Sequence, residues 1–264
     1  MLKNKMRKDA VSQLKNEGLF VIDKPAMSDA DLKICFRAFL ENTKDYKKEF
    51  LQCYYDFAFD GYSFQGQEDS SNQSYDDLLD TFVFSDLRPV EKFPKAFHPY
   101  LNQGWKQALK QIELLEKDLI DDLNLNINQK NLAHMVSCNF YPPTGNFKNP
   151  ARENTRLSAH PDVSLFTVFP FGVEEGFSYQ NPNGDWIELA ANNQWTVFPG
   201  YMLECLTDGK IKALNHKVVL PKNRTDERFS FAYFSIPRQN TTWVISGKSV
   251  SAEAYFEKYL NLFT

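Results

Sequence analysis

Three residues in the C-terminal half of the chain carry the side chains of a metal centre: His160 and Asp162 in the string HPD, and His216 in LNHKV. Two imidazoles and one carboxylate bind one side of an octahedral iron(II) ion and leave three positions open for a cosubstrate and oxygen. Arg228, twelve residues past His216, precedes Ser230 in the string RFS. A guanidinium there is suited to hold a carboxylate through a two-pronged hydrogen bond. A His-x-Asp alone arises readily by chance. The order is harder to generate: HPD at the start of an apolar strand, a second His 54 residues after the Asp, and Arg-x-Ser opening another apolar strand. The other two histidines, His98 and His134, read as structural, because a lone His is more often hydrogen-bonded inside a fold than a ligand.

The elements that must position these residues follow from periodicity. Over residues 132–141 a period of two places Met135, Ser137, Asn139 and Tyr141 on one face. By the same rule Arg228, Ser230, Ala232 and Phe234 share a face, while Phe229, Phe231 and Tyr233 point the other way. An inward-facing arginine needs a polar partner, since an unpaired buried charge is costly. From residue 132 onward, short apolar runs alternate with turn signals (PPTG, NPNGD, FPG, TDG), the spacing of a double-sheet jelly roll. Upstream, the pattern predicts a strand at residues 19–22, a helix over 29–41, a polar loop over 65–74 and one long helix over 94–123. The expectation is an α+β fold. Residues 1–125 form a helix-rich section packed on a double-stranded β-helix, or jelly-roll, core at 126–264, the two making one catalytic unit.

Composition narrows the function. The 264 residues include 42% hydrophobic side chains, with 23 Phe and 12 Tyr, enough for a sizeable core without staples. A net charge of −4 argues against an extended phosphate-binding surface, so nucleic acid is not expected as a partner. Cys35, Cys53, Cys138 and Cys205 form no CxxC pair and read as reduced thiols. No run approaches 18 apolar residues, and the basic N-terminal stretch lacks a signal-type apolar core. The expectation is a cytoplasmic protein that does not engage a membrane.

With NFYPP at residues 139–143, HPDVSLFTV, the NGDW turn and PGYMLECLTDGKIKALNHKV, the chain resembles the isopenicillin N synthase-like superfamily of Fe(II)/2-oxoglutarate-dependent dioxygenases from about residue 132 to 237. The resemblance implies that His160, Asp162 and His216 bind Fe(II), and that the face carrying Tyr141 lies inside the barrel. It further implies that Arg228 and Ser230 bind the distal carboxylate of 2-oxoglutarate, with Tyr141 a further donor and Asn139 near the chelating end. The activity implied is hydroxylation of a small molecule with O2, or its desaturation or ring closure, with release of succinate and CO2. Retention of Asp162 speaks against a halogenase. The hairpin GFSYQNPNGDW and Tyr201 depart from the usual pattern, so the substrate does not transfer. Two alternatives stay open: an oxidase of the same fold that does not use 2-oxoglutarate, and a non-catalytic jelly-roll binding protein.

Overall fold

The computed structural model describes residues 4–52, 59–67, 76–143, 155–220 and 226–263. Cys53 and most of the expected loop at 65–74 lie outside the described residues. Helix α1 (Asn4–Asn16) ends at Gly18, whose φ of +86° turns the chain into strand β1 (Phe20–Pro25). The expected second helix forms as α2 (Ala30–Leu40) and buries Leu32, Cys35, Phe36 and Phe39 along one side. Helix α3 (Lys44–Lys48), capped by the Thr43 hydroxyl accepting from the Tyr46 N–H, is followed by β2 (Gly61–Ser63) and β3 (Asp80–Ser85).

The long helix expected over 94–123 is instead broken into α4 (His98–Asn102) and α5 (Gly104–Asp122). The cause is local packing that periodicity does not register. The Tyr100 ring lies where residue 104 would carry a side chain, so that a Cβ there would sit 2.5 Å from Tyr100 Cε2, and Gln103 leaves helical geometry at φ −128°, ψ −65°. The break lets the Tyr100 hydroxyl reach that of Tyr233 at 2.5 Å while Trp105 stacks on the Tyr233 ring at 5.3 Å.

The remaining chain is mostly strand: β4 (Leu132–Tyr141), β5 (Thr155–His160), β6 (Phe166–Phe169), β7 (Phe177–Gln180), β8 (Trp186–Glu188) and β9 (Gln194–Pro199). After the short helix α6 (Tyr201–Leu206) come β10 (His216–Val219), β11 (Arg228–Pro237), the hairpin β12 (Thr242–Ile245) and β13 (Lys248–Ser251), and the closing helix α7 (Ala252–Leu260). Among the described residues, one sheet has the order β1-β9-β6-β11-β4-β3-β2 and a second the order β5-β10-β7-β8, with antiparallel pairing throughout both. This is a jelly-roll core with flanking helices. Three strands from the N-terminal section, β1, β2 and β3, extend the larger sheet at its two edges.

Alternation along β4 and β11 separates two environments. Phe229, Phe231 and Tyr233 join the main core under the helices, where Phe36 meets Phe229 edge-on at 6.0 Å. The opposite face, with Ser137, Asn139, Tyr141, Ser230, Ala232 and Phe234, lines a cavity between the two sheets. Cys35, Cys138 and Cys205 are buried free thiols.

Candidate metal centre and its cavities

His160 closes β5 and His216 opens β10, and the two strands pair so that these residues are direct partners. Strand pairing thus closes a gap of 56 residues in the chain. The rings lie 4.6 Å apart between centroids, and Asp162 Oδ1 sits 3.7 Å from His160 Nε2 and 3.8 Å from His216 Nε2. One ligand atom from each of the three residues falls within 4.8 Å of the others. The sequence pattern puts HPD at the start of a strand, but in the structure it ends one. Pro161 has no N–H for the ladder, and Asp162 occupies the turn before β6.

Hydrogen bonds fix which atoms face inward. His160 Nδ1 meets the Ser158 carbonyl at 2.8 Å and His216 Nδ1 meets that of Leu214 at 3.1 Å. A carbonyl only accepts, so both Nδ1 atoms carry the proton and both Nε2 lone pairs are free to bind a metal. The Thr167 hydroxyl donates to Asp162 Oδ2 at 2.6 Å, leaving Oδ1 as the inward oxygen. Burial pushes the His216 imidazole down to about 4, with Asp162 opposing the shift and His160 adding to it. His216 is therefore neutral near pH 7, as a ligand must be.

The loop bearing Asp162 is gripped from several sides. The Tyr201 N–H donates to the Asp162 carbonyl at 2.7 Å and that of Met202 to the Ser164 carbonyl at 3.1 Å. Gly200 permits this approach, because a Cβ there would lie 2.2 Å from the Ser164 carbonyl oxygen. From α7, the Tyr255 hydroxyl donates to the Val163 carbonyl and that of Tyr259 to the Pro161 carbonyl. On the outer edge of β5, Asp77 Oδ1 accepts from the Ser158 N–H at 2.9 Å and hydroxyl at 2.7 Å. Of these supports, Thr167 sits in HPDVSLFTV and Gly200, Tyr201 and Met202 in PGYMLECLTDGKIKALNHKV, both strings singled out in the sequence. Asp77, Tyr255 and Tyr259 are distant in the chain and carry no local signal.

Two cavities meet at the triad. The smaller, about 100 Å³, is lined by His160, Asp162, His216, Asn139, Tyr141 and Ser230, with Leu157, Phe177 and Val218 among its apolar walls. Arg228 pairs with Tyr141 in register, as Ser230 does with Asn139. The guanidinium is only 5% exposed, lies 5.0 Å from the Tyr141 ring centroid, and has no hydrogen bond at Nε or Nη1. Glu174, 46% exposed at its side chain, approaches Nε to 3.9 Å, beyond hydrogen-bond length. The larger cavity, about 340 Å³, shares Ser137, His160, Asp162 and Phe234 with the smaller. It is completed by residues from the N-terminal section and from the C-terminal helix and tail.

His98 and His134 stand apart from this cluster. His98 Nε2 bonds the Phe93 carbonyl at 3.0 Å, and His134 Nε2 bonds the buried Glu116 at 2.7 Å.

Residues 132–237 match the family model of the 2OG-Fe(II) oxygenase superfamily. Over this segment the chain is similar to members of that superfamily. Gibberellin 2-beta-dioxygenase 3 of Arabidopsis thaliana is 24% identical over 150 residues, 55% of this chain and 44% of that protein. Mugineic-acid 3-dioxygenase of Hordeum vulgare is 33% identical over 104 residues, 39% of this chain and 29% of its own length. The chain thus spans less than half the length of these curated relatives. In fold it is similar to a full-length Neurospora crassa protein solved in complex with alpha-KG and 5-formyluracil, with a TM-score of 0.77 at 18% identity, covering 98% of this chain and 89% of that one. It is also similar to the dioxygenase for auxin oxidation of rice, with a TM-score of 0.71 at 15% identity, covering 97% of this chain and 88% of that one.

The residues fit the groups this superfamily uses. Two neutral imidazole nitrogens and a carboxylate oxygen make a donor set for iron(II). The buried guanidinium of Arg228, with two unmet donors, suits the far carboxylate of 2-oxoglutarate.

Proposed function

We propose that this chain is an iron(II)- and 2-oxoglutarate-dependent oxygenase acting on a small molecule, which it hydroxylates, desaturates or cyclises. The observation that carries the reading is the burial of Arg228 with unmet donors, on the face and in the register of the residues lining the cavity that holds His160, Asp162 and His216. A buried guanidinium with donors left unmet is unfavourable unless an acceptor completes it, and the half-exposed Glu174 at 3.9 Å makes no hydrogen bond to it.

When bound, iron(II) with 2-oxoglutarate and O2 supplies the oxidising power, and the cosubstrate leaves as succinate and CO2. The chain's residues do the positioning. His160 and His216 offer Nε2 because backbone carbonyls hold their Nδ1 protons. Asp162 offers Oδ1 because Thr167 occupies Oδ2. Arg228 and the Ser230 hydroxyl bind the distal carboxylate, Tyr141 adds a donor, and Asn139 lies toward the chelating end. Leu157, Phe177 and Val218 keep water from the cavity, which strengthens every polar contact in it. The net charge of −4 and the buried free thiols support a cytoplasmic protein whose partner is a metabolite rather than nucleic acid.

The test is to add iron(II) and 2-oxoglutarate to the metal-free protein without oxygen and record the weak visible charge-transfer band of the chelate. Wild type is expected to show the band and Arg228→Ala to lose most of it. Iron binding without a band would replace this reading by that of an oxidase independent of 2-oxoglutarate. Absence of iron binding would leave a non-catalytic binding protein.

A further inference from the structure

We infer that the substrate is an uncharged molecule of mostly apolar, ring-sized surface that carries a hydrogen-bond acceptor. What happens to it rests on the oxygenase reading; how it is bound rests on the larger cavity alone. That cavity, about 340 Å³, is of small-molecule size. Among the described residues lining it, Asp162 is the one acidic side chain, no Lys or Arg is present, and Asp162 belongs to the metal triad.

The polar groups in the wall are nearly all committed to the protein itself. Gln52 Nε2 donates to the Phe59 carbonyl at 2.6 Å, and its Oε1 accepts from the Ser63 hydroxyl at 2.9 Å. The Ser137 hydroxyl donates to Asn139 Oδ1 at 2.9 Å, and the Tyr259 hydroxyl to the Pro161 carbonyl at 3.0 Å. Gln67 differs. Its Oε1 accepts from the Phe64 N–H at 3.3 Å, while its amide N–H2 makes no hydrogen bond among the described residues. Among the described residues the wall thus offers one uncommitted amide donor and, outside the metal triad, no charged side chain.

The rest of the wall is apolar and braced. The Phe59 ring packs on Phe256 at 5.6 Å, and Tyr259 on Phe263 at 5.1 Å. Leu260 of the wall is 41% exposed and Phe64, hydrogen-bonded to Gln67, is 50% exposed, so apolar surface continues to the solvent side. A carboxylate entering here would give up its water for aromatic rings and a single amide, and an ammonium group would find even less. A neutral ring compound loses little hydration and gains dispersion contact with these side chains.

The decisive experiment is calorimetric titration with a matched pair of probes, 2-naphthamide and 2-naphthoate. It is run on protein loaded with iron(II) and 2-oxoglutarate without oxygen, and repeated on metal-free protein so that chelation by the carboxylate does not enter. The amide is expected to bind about tenfold or more tightly than the carboxylate in both states. Gln67→Lys, a change at a half-buried turn residue, is expected to tighten naphthoate by about tenfold and weaken naphthamide. Equal or tighter binding of naphthoate by wild type, failure of both probes to bind, or an unchanged preference in Gln67→Lys would each overturn the inference. A lost charge-transfer band with the preference intact would sink the oxygenase reading and leave this one standing. A normal band without the preference would do the reverse.

Discussion

The two cavities that meet at His160 and Asp162 differ in what their walls offer and in where those walls come from. The smaller draws on strands within the segment that matches the superfamily, β4, β5, β10 and β11 chief among them, with Leu79 its one described lining residue from outside, and adjoins a buried cation. The larger adds Gln52, Phe59, Gln67 and Val83 from before that segment and Tyr259, Leu260 and Phe263 from after it. One is built largely from paired strands in register. The other adds to strand residues such as Val83, Met135 and Phe234 side chains from loops and a terminal helix, which lie outside the ladder. Under the proposed function, this division sets a cosubstrate site apart from a substrate site.

The comparison breaks most completely at the triad, where the two cavities join. His216→Ala is expected to abolish iron binding and turnover while far-ultraviolet circular dichroism stays native. Retained turnover would remove His216 from the metal site.

A buried polar pair outside both cavities gives the next largest effect, and it falls on stability alone. Glu116 and His134 are 0% and 3% exposed at the side chain. Burial acts to lower the His134 pKa, but Glu116, with help from Asp86 and Glu113, outweighs it and lifts the value above 6.5. The folded chain therefore holds this proton more tightly than the unfolded chain. The contribution of the pair is full below about pH 6.5 and is lost as pH rises through the raised folded value. Glu116→Ala should lower unfolding free energy by about 3 kcal/mol in denaturant titrations. Its stability should also lack the fall on the alkaline side that wild type shows.

Arg228→Lys tests the smaller cavity by itself. An ammonium cannot reproduce the fork, and charge-assisted hydrogen bonds of this kind contribute about 1.5–3 kcal/mol, so 2-oxoglutarate affinity should fall roughly tenfold to a hundredfold. Iron affinity and naphthamide binding should hold. A change confined to naphthamide binding would mean that Arg228 serves the wrong cavity.

The smallest expected effect is that of Thr167→Val, which removes the donor to Asp162 Oδ2 and frees the carboxylate to rotate. Iron(II) affinity should drop about tenfold, at the lower end for partners that orient a metal ligand, with 2-oxoglutarate binding to the loaded protein little changed. Competition against a chelator of known affinity measures it.

Much of the site was legible before any fold was in view, because strand periodicity is a local property. That Ser137, Asn139 and Tyr141 share one face, and Phe229, Phe231 and Tyr233 another, follows from a period of two and is found so; that the Tyr141 face lies inside came from the resemblance. The break between α4 and α5 was not legible, since Gly104 reads as a tolerated glycine until the Tyr100 ring is seen to need its space. The buried pairing of His134 with Glu116 fits a structural histidine, but its partner, 18 residues earlier, had no signature.

By itself the sequence determined the kinds of group available: two imidazoles and a carboxylate in a telling order, an arginine two residues before a serine, and strands whose alternation assigns each side chain a face. These are matters of residue type and short-range spacing, which the backbone period converts directly into geometry. Only the tertiary structure decided that His160 and His216 pair across β5 and β10, which carbonyls hold their protons, that Arg228 keeps two donors unmet, and that Gln67 keeps its amide donor uncommitted in the wall of the larger cavity. The strand pairing depends on contacts between residues far apart in the chain, which leave no trace in local pattern; the carbonyls of Ser158 and Leu214 are only two residues from the rings they hold, but residue type does not say that a side chain will turn toward them or that a donor will stay unmet.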